Sequence, residues 1–250
     1  MKPQRRRLIQ LITAFSLGTI GAAAGVRAQP KGGEFPFHTL NPPQPVEAPA
    51  GKIEVIEFFW YGCPHCYAVE PAVEAWLKRL PADVVFRRVP PALGQSWVPH
   101  AQAFYAFEVL GVLPTVHRAF FDAIHRDRLQ VGSWPAMKQW LERNRIAPAK
   151  YEEAVRSFSV ENSVRKAARM GANYQVSGVP SFAIHGRYTV ASGEVPEEQL
   201  VPAVEQLVAL TRNELGFKAP SAPARTPTDA SKQSAAKSAP KAPKKAPVEK

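Results

Sequence analysis

The chain has 250 residues, 45% of them hydrophobic, enough to bury the core of a domain with accessory structure. Its net charge of +11 is carried by the ends: residues 1–28 contribute +5, residues 218–250 contribute +6, and residues 29–217 balance to zero. The interior of the chain therefore lacks the basic character that would point to a nucleic-acid partner, and none is expected.

Residues 1–28 read as a secretory signal. Lys2, Arg5, Arg6 and Arg7 form a basic start, residues 8–25 are apolar or small, and Val26-Arg27-Ala28 resembles a small-x-small cleavage site. Export places the rest of the chain in an oxidising compartment, which in a bacterium is the periplasm. Residues 29–50 are Pro-rich and extended. Residues 53–60 are almost continuously apolar, β-branched or aromatic, the pattern of a strand buried on both faces, and Glu57 interrupts them. Gly62 breaks that strand, and Pro64 suits the first position of a following helix, where its missing N–H costs nothing. Val69, Val73, Trp76, Leu77 and Leu80 recur at helical spacing, Pro71 predicts a kink, and Pro81 a stop. Residues 84–89 form a second strand ended by Pro90-Pro91, giving a βαβ unit with a right-handed crossover.

The period then becomes helical. Phe104, Phe107 and Leu110, then Phe120, Phe121 and Ile124, then Met137, Trp140 and Leu141, mark successive helices, and Tyr151, Val155 and Phe158 continue the pattern. Residues 92–167 are thus a helical insert whose aromatics belong to its core. Strand character returns at residues 179–184, turns at His185-Gly186, and comes back antiparallel over residues 187–190. Leu200, Val204, Leu207, Val208 and Leu210 mark a last helix that begins near Pro196 or Pro202. Residues 29–91 and 168–217 then form one discontinuous domain. The Ala-, Pro-, Lys- and Ser-rich residues 218–250 cannot bury a core and are expected to be disordered.

The chemistry concentrates at Cys63-Pro64-His65-Cys66, which holds both cysteines of the chain. Two cysteines are too few for a disulfide framework. A structural zinc site needs four ligands, and no second Cys or His pair stands at ligand spacing. A dithiol cycling with a disulfide remains. Cys63 falls at a helix N-terminus, where unpaired N–H groups and the helix dipole favour an anion, and a protonated His65 would add to them. Cys63 is therefore the nucleophile with a lowered pKa, and Cys66, one turn deeper, the shielded resolving thiol. The thiolate's contribution is present above the unfolded thiol pKa and is lost as pH falls through the folded value. At neutral pH the reduced form should be the more stable, which makes the disulfide an oxidant. His38, His100, His117, His125 and His185 have no cysteine or carboxylate constellation and read as structural or surface residues.

The run from Phe58 to Tyr67 at the end of a buried strand, with Gly178-Val179-Pro180 before a hairpin, resembles the bacterial DsbA family over about residues 35–215. The resemblance implies an α/β protein with a thioredoxin fold and an inserted helical domain. It implies a periplasmic thiol:disulfide oxidoreductase that donates its disulfide to newly exported proteins and is reoxidised by a membrane quinone reductase of the DsbB type. A monomer without cofactor or metal is expected. Cys63 is then nucleophile, Cys66 resolving thiol, and Pro64 and His65 the tuning dipeptide. Pro180 matches the family's cis-proline facing the disulfide, with Val179 free to pair with a substrate strand. Glu57 matches the buried acid beneath the disulfide, a proton acceptor during exchange. The family's lysine partner falls on Phe86 here, with Arg87 and Arg88 beside it. An isomerase would need a dimerisation domain, for which residues 29–50 are too short. A reductase would want a less acidic Cys63, and a redox-inactive peptide-binding module would not need two cysteines.

Overall fold

The computed structural model describes residues 35–218. The expected signal at residues 1–28 and the tail from residue 219 onward lie outside them. The six-residue strand Ile53–Phe58 (β2) is buried at every position and forms the middle of the sheet. It pairs in parallel with Val84–Val89 (β3), and Pro64–Leu77 (α1) crosses over between them. On its other side β2 pairs antiparallel with Ser181–Ile184 (β4), which turns back as Tyr188–Ala191 (β5). A two-residue strand, His38–Thr39 (β1), closes the far edge against β5, so the strand order is β1-β5-β4-β2-β3.

β1 was not expected from the Pro-rich leader, because two residues carry no readable alternation. β2 ends at Phe58 rather than Trp60. α1 runs unbroken through Pro71 and ends at Leu77, short of Pro81. Five helices lie between β3 and β4: Val98–Val109 (α2), Leu113–His125 (α3), Trp134–Arg143 (α4), Pro148–Val155 (α5) and Phe158–Asn173 (α6). Glu197–Glu214 (α7) follows β5. Among the described residues no helix is long and apolar enough to cross a membrane.

The period-2 rule for strands divides β2 between two cores. Ile53 and Val55 join Val69, Val73 and Trp76 of α1 and Leu200, Val204 and Leu207 of α7. Ile56 and Phe58 face the other way, into a cluster with Phe104, Phe107, Phe120, Phe121, Trp140 and Leu141 from the insert. The insert's aromatics lie in the core or pack against it with two exceptions: Trp134 is 39% exposed and Phe158 73% exposed. Ser157 caps a new helix there by accepting from the Val160 N–H, and the new phase gives the buried place to Val160 and turns Phe158 outward. This architecture is the α/β sheet with inserted helices that the resemblance implies.

Candidate functional site

α1 begins beyond the carboxyl end of the central strand, so its first residues stand at that end of the sheet, between the two cores. Cys63 is its N-cap with extended backbone, and Pro64 takes the first turn as anticipated. The turn that delivers Cys63 is closed by its N–H donating to the Trp60 carbonyl at 2.9 Å. It is also tight. A Cβ on Gly62 would stand 2.4 Å from Trp60 Cζ2, so only glycine lets the indole fold over this position. Trp60 in turn stacks on Trp97, with ring centroids 4.6 Å apart, and lies beside His100. Burial holds the His100 imidazole down at about 4. The insert thus supplies an aromatic shelf against Trp60, in the turn that carries Cys63, that sequence reasoning missed, since Trp97 and His100 are remote in the chain.

Both thiols are free, Cys63 7% exposed and Cys66 fully buried. Their environments push them apart. The Cys63 thiol is lowered to about 6, first by the hydrogen bond from the Cys66 thiol. The backbone N–H groups of Cys66 and His65 and the charge of His65 follow, and burial opposes them. The helix N-terminus and His65 were the anticipated causes; the partner thiol comes ahead of both. Cys66 is pushed well above the ordinary thiol range by burial, by its bond to Cys63 and by the charge of Glu57. The Val179–Pro180 bond is cis, and the Cys63 Sγ–H donates to the Val179 carbonyl at 3.3 Å. Cys63, Cys66, His65, Val179 and Pro180 are therefore one cluster, although 116 residues separate Cys63 from Val179.

His65 itself points outward, and its Nδ1–H donates to Glu197 Oε1 in the first turn of α7. This pair raises the His65 pKa, with the Cys63 thiolate adding to it. Glu197 was not foreseen. A Pro-Glu-Glu helix start is a local cap signal, and nothing in it says which helix lies opposite. A cleft of about 640 Å³ opens beside the pair, lined by His65 and the β5–α7 loop from Ser192 to Glu198.

Behind Cys66 lies a buried charge cluster. Glu57 is 1% exposed, and Arg88 Nε donates to its Oε2 at 2.9 Å. Arg88 Nη2 donates to Glu70 Oε1 at 2.7 Å. His117 Nε2 lies 3.5 Å from the same oxygen, and its Nδ1 receives the Tyr61 hydroxyl at 2.7 Å. Two expectations are corrected here. The position opposite Glu57 is Arg88 and not Phe86, because the β2–β3 register sets Glu57 opposite Arg88 and Val55 opposite Phe86, and Arg88 is the partner that the sequence had left open. His117 is not without a carboxylate neighbour, and neither is His38, whose Nε2 pairs with Glu194. Burial is the first cause that raises both Glu57 and Glu70 to about 7, with Arg88 opposing it. Burial, followed by the charge of Arg88, holds His117 down at about 3, so its imidazole is neutral. Oxygens of both carboxylates remain without a hydrogen-bond partner, a costly arrangement in a dry interior unless they carry a proton. Among the described residues no group of three or more His, Cys, Asp or Glu side chains is placed to hold a metal ion.

A thiol of lowered pKa at a helix start, a deeper shielded thiol, the carbonyl ahead of a cis-proline facing the first of them and a buried acid behind are the parts of a dithiol–disulfide exchanger. The comparisons agree. The DSBA-like thioredoxin domain family matches residues 82–205. The thiol:disulfide interchange protein DsbA of Burkholderia cepacia is 41% identical over 174 residues, 68% of this chain and 82% of that protein. That of Azotobacter vinelandii is 43% identical over 169 residues, 67% of this chain and 76% of its own. The chain belongs to the DsbA family. The crystal structure of Pseudomonas aeruginosa DsbA superposes with a TM-score of 0.68 at 36% identity, covering 72% of this chain and 94% of that one. The oxidoreductase DsbA from Xylella fastidiosa gives 0.67 at 30% identity, covering 74% and 100%. The protein is accordingly a thiol:disulfide oxidoreductase with the DsbA form of the thioredoxin fold.

Proposed function

We propose that this DsbA-family protein works in the oxidising direction, in the periplasm, donating a Cys63–Cys66 disulfide to newly exported proteins. The observation that carries the direction is the split between the thiols, with Cys63 lowered to about 6 and Cys66 raised. A stabilised Cys63 thiolate favours the reduced protein and makes the disulfide the stronger oxidant. A substrate thiolate attacks Cys63 Sγ, the Cys63–Cys66 bond breaks, and a mixed disulfide forms at Cys63. The Cys66 thiolate, a poor leaving group in its buried place, takes a proton from the carboxyl cluster of Glu57 and Glu70. A second substrate thiolate then attacks the substrate sulfur of the mixed disulfide and releases Cys63 as a thiolate. Each cycle converts two substrate thiols into one disulfide and leaves both cysteines reduced.

The Val179 carbonyl, 3.3 Å from Cys63 Sγ, marks where an extended substrate backbone would pair beside the cis-proline, with Pro64 shaping the helix start. The partners on this reading are unfolded cysteine-containing proteins after export and a membrane quinone reductase of the DsbB type for reoxidation. The protein acts as a monomer, with no cofactor. The test is the equilibrium of the purified protein with reduced and oxidised glutathione at neutral pH. A disulfide that glutathione reduces readily is the expected result. One that resists reduction would return the protein to the reductase or isomerase class. Full biological activity in Cys63→Ser would make it a redox-inactive binding module instead.

A further inference from the structure

Across the cleft from the start of α1, the first turn of α7 carries Glu197 and Glu198 behind its N-cap Pro196. Acidic side chains are favoured at that positive helix end, which gives Glu197 a reason to stand there independent of His65. The contact between Glu197 and the His65 ring joins segments 132 residues apart and ties the β5–α7 turn to the thiol-bearing turn. We propose that Glu197 is a positioning residue for the exchange reaction: by accepting from Nδ1 it holds the His65 imidazolium beside the Cys63 thiolate, and so keeps Cys63 a good leaving group above neutral pH. The proposal rests on the oxidising function given above and deepens it.

Two opposed effects decide its sign. The negative charge of Glu197 disfavours a nearby thiolate, while the imidazolium it holds favours one. The His65 charge contributes to lowering Cys63, and Glu197 is not among the causes acting on Cys63 directly. Glu197 is the first cause acting on His65. Its main route to the thiolate is therefore through the imidazole. The other charged groups at the cleft are Glu194, which is engaged with His38, and Glu198, which is exposed and makes no ion pair among the described residues. With His65 63% and Glu197 33% exposed, the pair belongs to the weak, solvent-screened class, and its removal should move an equilibrium constant about two- to fivefold.

The experiment compares the wild-type protein, Glu197→Gln and Glu198→Gln in glutathione redox equilibria from pH 5.5 to 8.5, with the His65 ring titrated by NMR. At pH 7.5 the Glu197→Gln disulfide should be about two- to fivefold harder to reduce than the wild-type one. At pH 5.5, where His65 is protonated in both, the difference should vanish or reverse, because only the repulsion from Glu197 has then been removed. Glu198→Gln takes the same charge from the same turn and should follow the wild type. An equal, pH-independent shift in both variants would overturn the proposal, as would an unchanged His65 titration in Glu197→Gln. The wild type alone also tests it, since a His65 titrating at or below the ordinary ~6.5 would overturn it. Failure of the oxidising function itself would show in the wild-type equilibrium, whereas failure of the Glu197 role shows only in the comparison.

Discussion

Glu57→Gln should make the protein more stable, by a margin that grows as pH rises from about 4.5 to about 7. The Glu57 carboxyl titrates near 7 in the folded protein against 4.5 for an ordinary one, chiefly because burial penalises its charge. Between those values the unfolded chain has given up a proton that the native state retains. Below about 4.5 both states are protonated and the native state bears no penalty. As pH rises through 7 the native carboxyl must ionise in the interior, and the stability present at low pH is lost. At about 1.4 kcal/mol per pH unit, the interval is worth about 3 kcal/mol. Gln has the same shape, can still accept from Arg88, and does not ionise. Urea denaturation of the reduced proteins at pH 4.5 and pH 8 reads the effect directly, and the titration of Cys63 is common to both proteins and cancels. The variant should equal the wild type at pH 4.5 and exceed it by about 3 kcal/mol at pH 8. On the mechanism proposed above, the same substitution removes an acid that protonates Cys66. The rate of disulfide reduction per attacking thiolate, which in the wild type should fall above pH 7, should lose that break. A stability difference that does not change with pH would refute the reasoning.

Arg88→Met leaves Glu57 and Glu70 buried without their cation, and should lose about 3–5 kcal/mol at pH 8 but much less at pH 5, where both carboxyls are protonated; denaturation midpoints at the two values check it. Gly62→Val forces the Trp60 ring off its seat, 2.4 Å from the new Cβ, and should cost about 1–3 kcal/mol together with a change in tryptophan fluorescence. Cys66→Ala leaves a Cys63 mixed disulfide with no neighbouring thiol to displace it, so with oxidised glutathione, whose disulfide the Cys63 thiolate attacks with release of one glutathione thiolate, it should accumulate thiol-reversible adducts visible on non-reducing gels. Phe158→Ser should change stability by no more than about 0.5 kcal/mol, while Phe120→Ala in the insert core should lose about 3–5 kcal/mol by thermal denaturation.

Much of this fold was legible because its strongest signals are local. The apolar run of β2, the Gly62 break and the Pro64 helix start lie within about a dozen residues, and the helical and strand periods after residue 90 change where the elements change. What was not legible depends on packing. β1 exists because β5 offers it an edge, and Phe158 faces solvent because Ser157 restarts the helical phase. Trp97 and His100 reach Trp60, in the turn that carries Cys63, only because the insert folds back over the sheet. Glu197 is the same kind of case, since helix α7 could have begun with those residues anywhere.

The partner of Glu57 shows how far a pattern can be pushed. Alternation states which face of β3 a residue occupies, and Phe86 and Arg88 share a face, so alternation alone cannot choose between them. Register chooses, and it follows from the strand starts: pairing the first residues, Ile53 with Val84, brings Glu57 to Arg88. A second signal was also present. Glu70 stands four residues after Cys66 on α1, one turn further along the same face. A carboxylate in line with a buried thiol, on a helix lying against a strand that carries another buried carboxylate, already implies two acids competing for one cation. Two like charges cannot both ionise cheaply on either side of a single guanidinium. The raised pKa of the carboxyls behind Cys66 thus comes first from their burial, and the i, i+4 step on α1 and the register of two parallel strands add to it by setting both acids around one guanidinium.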